Sequence, residues 1–509
     1  MNKTLIRNKI SIRHYRTVIG LTFCMGLLPY DANAADNNLT YLEEMGKRLF
    51  FEEISLNRNM SCSSCHSAGT GGTNGDSETN LGEVAVRGSD RSRIGTLKPP
   101  TNKYAQFLDD EGKKAGLKTF DPACPAFGGT APCGGAFWNG RAEGDLIENF
   151  HEVNVFEGLS SEYETMYRKY LGPVSDQAHA SPYTNPVEQA LPDKKSVCMQ
   201  VSSTEWGEEL YKYAWGTALS CDEENVDKEF ARFAVSLTAW QMSSDNNRFD
   251  SKRDVALKGD EDGKFPLDIF TEQENRGHDL FYGVGPGTGA RCFFCHQSEN
   301  NEGVGKFERY TNDRYFNLGV PYNHEIPNAA EPNRGLFEVT SSSNHLGQHK
   351  VPTLRNVDKR PDHRFMKAYT HNGWFKTVEQ LVHFYNSAAV PTSSEDIEAC
   401  ANATTDEEKL AVSTACFFGK TRCEEGEWTV EEAMETNCWP EPEIKENVAI
   451  STSNFGPVGN LKMTKDDEAA VVSYLKTLSD RTSVIPPRAY QSQPYDERRL
   501  KHNLKKLPH

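Results

Sequence analysis

Apolar residues recur three and four positions apart in several segments, which predicts amphipathic helices. The segments are residues 42–51, 228–242, 271–282, 377–385 and 464–478. In the second of these, the apolar positions are Phe230, Phe233, Ala234, Leu237 and Trp240. Strand signals are few and short. Segments rich in Gly, Pro and Asn, such as residues 68–80 and 123–135, predict long loops. The pattern therefore predicts a mainly α protein.

The composition describes a loop-rich but globular chain. Apolar residues make up 37 % and charged residues 25 % of 509 residues, a length that predicts two or more domains. The formal net charge is -17, which argues against nucleic-acid binding and favours a basic protein partner. No segment approaches the roughly 18 apolar residues of a membrane span, so an integral membrane protein is excluded.

The N-terminus resembles a cleaved export signal. A basic head is followed by a short apolar run at residues 18–28 and by Ala32-Asn33-Ala34, a small-x-small cleavage site. The alternative is an uncleaved anchor, which the shortness of the run disfavours. We expect residues 1–34 to be removed near Ala34 and the mature protein to lie in the periplasm, an oxidising compartment.

Four of the 13 cysteines form two copies of one motif. The first copy is Cys62-Ser63-Ser64-Cys65-His66, and the second is Cys292-Phe293-Phe294-Cys295-His296. Cys-x-x-Cys-His is the attachment site of c-type haem: two thiols bind the porphyrin vinyl groups and the histidine binds iron. The motifs predict two covalent haems, with His66 and His296 as proximal ligands.

Cys-x-x-Cys is also found in redox dithiols and zinc sites. A thioredoxin-like dithiol needs a βαβ context, which neither segment has. A zinc site built from both pairs would require them to meet across a long intervening sequence. The histidine after each pair favours haem over both alternatives.

The remaining cysteines of the expected mature chain are even in number, which in an exported protein indicates disulfides. Cys124 with Cys133 and Cys198 with Cys221 are the predicted local pairs. The last four leave three possible connectivities; they are Cys400, Cys416, Cys423 and Cys438. They fall in a polar stretch at about residues 391–454, which we interpret as a disulfide-stapled surface insertion.

The two motifs divide the chain into parts of similar size. We predict an N-terminal haem domain at residues 35–255 and a C-terminal haem domain at residues 256–485. The insertion belongs to the second domain. A polar, basic tail follows at residues 486–509. No internal repeat is evident in the sequence beyond the haem motifs.

Several short motifs resemble the bacterial di-haem cytochrome c peroxidases and their MauG relatives. They occur in the family's order and span about residues 42–478. They are Gly46-Lys47-Arg48-Leu49-Phe50-Phe51, Phe137-Trp138-Asn139-Gly140-Arg141-Ala142, Asp176-Gln177-Ala178, Asn185-Pro186-Val187-Glu188, Val351-Pro352-Thr353-Leu354-Arg355-Asn356 and His371-Asn372-Gly373. The resemblance implies two cytochrome c-like haem domains.

The resemblance also implies a division of labour between the haems. The N-terminal haem, on Cys62 and Cys65, would react with hydrogen peroxide. Glu188 matches the family's distal glutamate, which moves a proton between the peroxide oxygens, and Gln177 accompanies it one residue farther away than expected. Without the resemblance, Glu188 would be interpreted as a surface or capping carboxylate. Trp138 matches the tryptophan between the haems.

Two features resemble MauG more than ordinary peroxidases. Tyr385 lies 14 residues after His371, where ordinary peroxidases have methionine as the second haem's distal ligand and MauG-like enzymes have tyrosine. An anionic phenolate favours highly oxidised iron, although Tyr385 could instead be a core residue. Residues 67–149 contain no histidine to close the first iron. Against MauG, no tryptophan stands just before the second haem motif.

Three functions remain open from the sequence. The first is a peroxidase that takes electrons from a small donor protein, a cytochrome c or a cupredoxin. The second is a MauG-like oxidase that modifies a partner protein, and the third is a non-enzymatic electron carrier.

The resemblance also implies calcium at the domain interface, near Met366, Ala368 and Asn102. A homodimer is an open alternative to a monomer.

Overall fold

The computed structural model describes residues 39–126, 129–144, 151–180, 182–283, 289–296, 304–327, 331–450 and 458–500. These residues belong to one compact unit. The predicted export signal lies outside them. No helix in these ranges is long and apolar enough to cross a membrane.

Helices dominate the described residues, as the sequence pattern predicts. The helices are α1 Tyr41–Phe51, α2 Cys62–Cys65, α3 Ser77–Leu81, α4 Ser161–Arg168, α5 Pro173–His179, α6 Lys194–Ser202, α7 Gly207–Trp215, α8 Val226–Met242, α9 Lys252–Gly259, α10 Glu272–Tyr282, α11 Phe337–Thr340, α12 Val378–Ser387, α13 Ser394–Asn402, α14 Asp406–Val412, α15 Thr414–Phe418, α16 Val430–Glu435 and α17 Lys465–Lys476. All five segments with helical spacing are confirmed as α1, α8, α10, α12 and α17.

The strands are short and pair only in twos within the described ranges. They are β1 Gln106–Leu108, β2 Lys114–Gly116, β3 Asp121–Ala126, β4 Gly129–Cys133, β5 Tyr315–Phe316, β6 His349–Lys350, β7 Thr421–Arg422 and β8 Cys438–Trp439. The first three pairs are antiparallel and β7–β8 is parallel. The loop prediction for residues 123–135 is wrong, because β3 and β4 form a hairpin that the Cys124–Cys133 disulfide closes.

Two apolar cores lie on either side of the predicted domain boundary. The first gathers buried side chains from residues 39–242, and the second gathers them from residues 256–478. This division agrees with a two-domain organisation, which stays a prediction. Val484 and Leu500 return to the first core, and Tyr495 stacks on Tyr41 with ring centroids 5.7 Å apart. The described part of the tail is therefore draped over the N-terminal half.

The two cores share an arrangement that was not predicted from the sequence. Helix α1 packs on α8, and helix α10 packs on α17. Gly46 of α1 faces the Ser236 carbonyl so closely that a Cβ would overlap it, and Gly277 of α10 faces the Ala470 carbonyl in the same way. Both helices begin with a Thr-x-x-Glu capping box and both carry the pattern Gly-x-x-Leu-Phe-Phe/Tyr before a haem motif. The internal repeat therefore extends beyond the Cys-x-x-Cys-His motifs.

The segment at residues 391–454 is packed more deeply than predicted. Its disulfides join Cys400 to Cys416 and Cys423 to Cys438. Trp439 is fully buried and belongs to the second core. The interpretation as a surface insertion is therefore wrong for the buried apolar residues of this segment. These residues are spaced between charged ones in the sequence, but they pack together into the second core. The predicted Cys198–Cys221 disulfide is present.

Candidate active site

Both haem motifs form single turns that bring cysteine and histidine together. Cys62 to Cys65 is helical, and the His66 backbone N–H donates to the Cys62 carbonyl at 3.0 Å. In the second copy, the His296 N–H donates to the Cys292 carbonyl at 2.9 Å. Among the cysteines that the structure describes, only these four form no disulfide. Their thiols are available for thioether bonds, as covalent haem attachment requires.

The two motif histidines are held in matching orientations. His66 Nδ1 lies 3.0 Å from the Gly72 carbonyl oxygen, and His296 Nδ1 lies 2.9 Å from that of Tyr310. Each Nδ1–H donates to a carbonyl, so the lone pair of the neutral ring lies on Nε2. Burial lowers the pKa of both imidazoles, that of His296 to about 4. These are the orientation and charge state that iron ligation needs.

A large cavity joins the second motif to Tyr385. It contains about 1630 Å³ of space without protein atoms, counting its opening to solvent, and Cys292, Cys295, His296 and Tyr385 all line it. Much of the remaining wall is apolar, with Leu354, Val382, Leu461, Val471 and Leu475. A haem is a large apolar ring, so this donor set and lining fit it. Burial raises the pKa of Tyr385, and nearby Cys295 and Cys292 raise it further.

Glu188 lies close to the first motif. Its carboxylate accepts a hydrogen bond from Asn185 Nδ2 at 2.8 Å. Burial raises the pKa of both Cys62 and Cys65 to about 12, and the negative charge of Glu188 is the second cause in each case. Burial also raises the pKa of Glu188 itself, against the opposing effects of Arg141 and Asn185. The carboxyl group is therefore a better proton acceptor than an exposed glutamate.

Gln177 and Trp138 meet at a different cavity. Gln177 lines a smaller space with Phe137 and Trp138, and it makes no hydrogen bond to Glu188. Trp138 lines both this space and the second-motif cavity, so it forms part of the wall between them. Its indole Nε1 donates to the Lys98 carbonyl at 2.8 Å. A bridging role for Trp138 between the haems stays a prediction, and Gln177 makes no contact with Glu188 that would support its predicted role.

Two polar residues near the first motif were not predicted from the sequence. The Arg141 guanidinium lies 3.7 Å from the Phe137 ring centroid, and its charge reaches Glu188. Gln189 is buried, with Nε2 3.8 Å from the Cys62 sulfur and Oε1 without a hydrogen-bond partner. Arg141 lies within one of the family-like motifs, and Gln189 directly follows another. Only their contacts across the fold reveal that they belong to the site.

The second-motif cavity has a polar wall that the sequence did not predict. His371 and His349 line the cavity with their rings stacked 3.6 Å apart. His371 Nε2 lies 2.8 Å from Glu443 Oε2, and both side chains are buried. Glu443 comes from the segment at residues 391–454, which therefore supplies a carboxylate beside this cavity.

The first histidine after the haem motif contacts the predicted distal segment. His151 Nε2 lies 3.1 Å from an Asp176 carboxylate oxygen, and its ring stacks on His179 at 3.6 Å. Burial lowers the pKa of His179 to about 3. Asp176 directly precedes Gln177. His151 therefore contacts the segment that carries Gln177, a contact that its position in the sequence did not predict.

Comparison with known proteins identifies the family. A family model for di-haem cytochrome c peroxidase matches residues 41–262, which include the first haem motif and Glu188. The match covers a little under half of the chain, so the similarity to this family is a finding for residues 41–262. The resemblance found in the sequence is confirmed, and the protein is an enzyme, an oxidoreductase of the peroxidase and MauG type. The match to a di-haem family implies two c-type haems.

Relatives extend this similarity to the second motif. Methylamine utilization protein MauG of Paracoccus denitrificans is 26 % identical over 458 residues, which cover 88 % of this chain and 90 % of MauG. Cytochrome c551 peroxidase of Nitrosomonas europaea is 25 % identical over 342 residues, covering 67 % of this chain and 71 % of that protein. The chain is therefore similar both to a MauG protein and to a cytochrome c peroxidase.

Solved structures agree on the fold. The diheme peroxidase BthA from Burkholderia thailandensis has a TM-score of 0.57 and 21 % identity, covering 87 % of each chain. A MauG-like protein associated with microbial copper homeostasis has a TM-score of 0.51 and 18 % identity, covering 92 % of this chain and 95 % of that one. The helical architecture is thus that of di-haem peroxidases.

Proposed function

We propose that this protein is a periplasmic di-haem peroxidase that reduces hydrogen peroxide at the N-terminal haem. The observation that carries the proposal is the half-buried carboxyl group of Glu188, whose charge acts on Cys62 and Cys65. A buried carboxylate with a raised pKa can accept a proton from one peroxide oxygen and donate it to the other, so that water leaves. Arg141 opposes the burial effect and helps to keep the carboxylate ionised.

The haem irons would supply the redox chemistry, and the protein residues would bind and orient the groups around them. Cys62, Cys65, Cys292 and Cys295 would hold the two porphyrins covalently. His66 and His296 would be the proximal ligands, each oriented by a backbone carbonyl. Trp138, with its indole hydrogen-bonded to the Lys98 carbonyl, would conduct charge between the two sites.

A second candidate function is a MauG-like oxidation of residues in a partner protein. The presence of Tyr385 and His296 in the wall of one cavity favours it. If the Tyr385 oxygen binds the second iron as phenolate, it lowers the reduction potential and favours storage of oxidising equivalents. The metal would have to stabilise that anion, because burial raises the pKa of Tyr385.

The partners follow from charge and family. An ordinary peroxidase would receive electrons from a small cytochrome c or cupredoxin, and the net charge of -17 favours a basic one. A MauG-like enzyme would instead dock a protein substrate. A cleaved signal peptide, two haem domains and a homodimer stay predictions.

Peroxide addition separates these functions. The fully oxidised protein, without reductant, is mixed with one equivalent of hydrogen peroxide in a stopped-flow spectrometer. A MauG-like enzyme forms a long-lived state oxidised by two electrons, whereas an ordinary peroxidase needs prior half-reduction to reach that state. If neither the oxidised nor the half-reduced protein consumes peroxide, the protein is an electron carrier and the proposal is wrong.

A further inference from the structure

The Lys367 side chain occupies the region where the family resemblance implies calcium. Lys367 lies between Met366 and Ala368, and it is 4 % exposed. Its ammonium Nζ donates to the Thr70 carbonyl at 2.9 Å, to the Asn356 carbonyl at 2.8 Å and to the Lys359 carbonyl at 3.2 Å. The three acceptors match the three hydrogens of an ammonium group, and this set of contacts offsets the burial that lowers the pKa of Lys367 well below its ordinary value.

These carbonyls come from segments that belong to different haem motifs. Thr70 lies just after the first motif, in the turn that also contains Gly72, the partner of His66. Asn356 ends the Val351–Asn356 run that lines the second cavity. The ammonium therefore joins the two regions through backbone oxygens, which are also the ligands that calcium prefers.

One of the expected calcium ligands already has another partner. The Met366 carbonyl accepts a hydrogen bond from Asn80 Nδ2 at 3.0 Å. The Asn102 amide Nδ2 is buried without a hydrogen-bond partner, and Nδ2 is a donor rather than a metal ligand. If the Asn102 amide rotated by 180°, its oxygen, which can bind calcium, would take the place of Nδ2. The test below therefore measures bound calcium directly. Among the described residues, no group of three or more His, Cys, Asp or Glu side chains could hold a metal ion.

The local charge also disfavours a divalent cation. Lys98 and Lys103, on either side of the Asn102 segment, are both buried, with 7 % and 4 % exposure. Lys103 Nζ donates to the Asn246 carbonyl at 2.6 Å, and Lys98 has no carboxylate within ion-pair distance in the described ranges. Lys98 is close enough for its charge to act on Lys367. A calcium ion beside Lys367 would be repelled by the ammonium groups of Lys367 and Lys98, an effect that the Asp358 carboxylate opposes.

We propose that the Lys367 ammonium takes the place of the interface calcium ion and holds the two haem-motif segments together. The protein then needs no calcium for its stability or for the environment of its haems. This inference goes beyond the proposed function, because it concerns what joins the two motif regions and not which oxidation they perform.

The first test measures calcium in the protein itself. The haem-loaded full-length protein is dialysed against calcium-free buffer and analysed by elemental mass spectrometry. We expect fewer than about 0.1 calcium per chain and no change in melting temperature or haem absorption on adding EGTA or millimolar calcium. About one calcium per chain, or a spectrum or melting temperature that EGTA changes and calcium restores, would overturn the proposal. None of these readouts depends on peroxidase or MauG-like activity.

The second test removes the ammonium. Lys367→Met leaves three buried carbonyls without their donor, so its melting temperature should fall by about 3–6 °C. Lys258→Met, at an exposed lysine of α9, is the matched control and should change it by less than about 1 °C. A Lys367→Met protein as stable as the control overturns the proposal. If Lys367→Met does not fold, the calcium measurements on the natural protein still decide.

Discussion

At the residue scale, burial decides which carboxyl group can do chemistry. Exposed glutamates abound in this acidic chain, and the sequence alone would interpret Glu188 as one of them. The structure places the half-buried Glu188 beside the first motif, where partial desolvation raises the pKa of its carboxyl group. The functional state is the carboxylate, so activity should fall as pH drops through this raised pKa, above the ordinary value of 4.5.

Substitution of Glu188 tests this role. Glu188→Gln keeps the size of the side chain but removes its basicity, so kcat/KM for peroxide should fall by about 10²-fold and lose its acidic limb. Steady-state kinetics over a pH series that starts near the ordinary glutamate pKa and rises past neutrality measures both effects. Glu224→Gln, at an exposed position, is the control and should behave like the natural protein. An unchanged rate in Glu188→Gln would remove the residue from the mechanism.

The second haem's distal ligand is testable in the same way. Tyr385→Phe removes the phenol, so the absorption spectrum of one haem should change and its midpoint potential should rise by roughly 100 mV, since axial ligands tune potentials over about 0.8 V. Tyr369→Phe is a close control, because Tyr369 lines the same cavity and its hydroxyl is buried without a partner. Identical spectra for both variants would show that Tyr385 is a packing residue.

At the element scale, a closely packed pair of helices accompanies each haem motif. Helices α1 and α8 meet through Gly46, and α10 and α17 meet through Gly277, each against a backbone carbonyl. Close approach of this kind depends on the missing Cβ and not on backbone flexibility, because neither glycine has positive φ. Because both helix pairs share this contact, the two Cys-x-x-Cys-His motifs follow helices that are packed in the same way.

Alanine at these glycines should therefore separate the helices. We expect Gly46→Ala and Gly277→Ala each to lower the free energy of unfolding by about 1–3 kcal/mol, measured by thermal or denaturant unfolding. Gly259→Ala is the control, because a Cβ added at Gly259 would meet no atom within 4 Å, and it should gain up to about 1 kcal/mol. Equal stability of all three variants would contradict the close-packing account.

Sequence patterns predicted the elements better than their contacts. Helical spacing indicated α1, α8, α10, α12 and α17, because apolar residues recur three and four positions apart within each of these segments. It missed the inward packing of Trp439 and the contact of Glu443 with His371, since long-range contacts leave no local period. The two local disulfides were predicted from proximity, whereas the pairing of the last four cysteines needed the fold.

At the scale of the whole molecule, the sequence predicted the cofactors but not the polar groups around them. Cys-x-x-Cys-His is a local covalent signal, so both attachment sites could be found without a fold. Buried lysines such as Lys98 and Lys367 could not, because lysine in a sequence normally indicates a solvated surface. Arg141 and Gln189 are ordinary polar residues until the fold brings them to the first motif.

The central claim is that the chain carries two haems with different iron coordination, one open for peroxide and one closed by Tyr385. Electron paramagnetic resonance of the fully oxidised protein, with spins counted per chain, tests it most directly. The account predicts one high-spin and one low-spin ferric haem per chain without any reductant. Two low-spin haems, or fewer than two haems per chain, would contradict it.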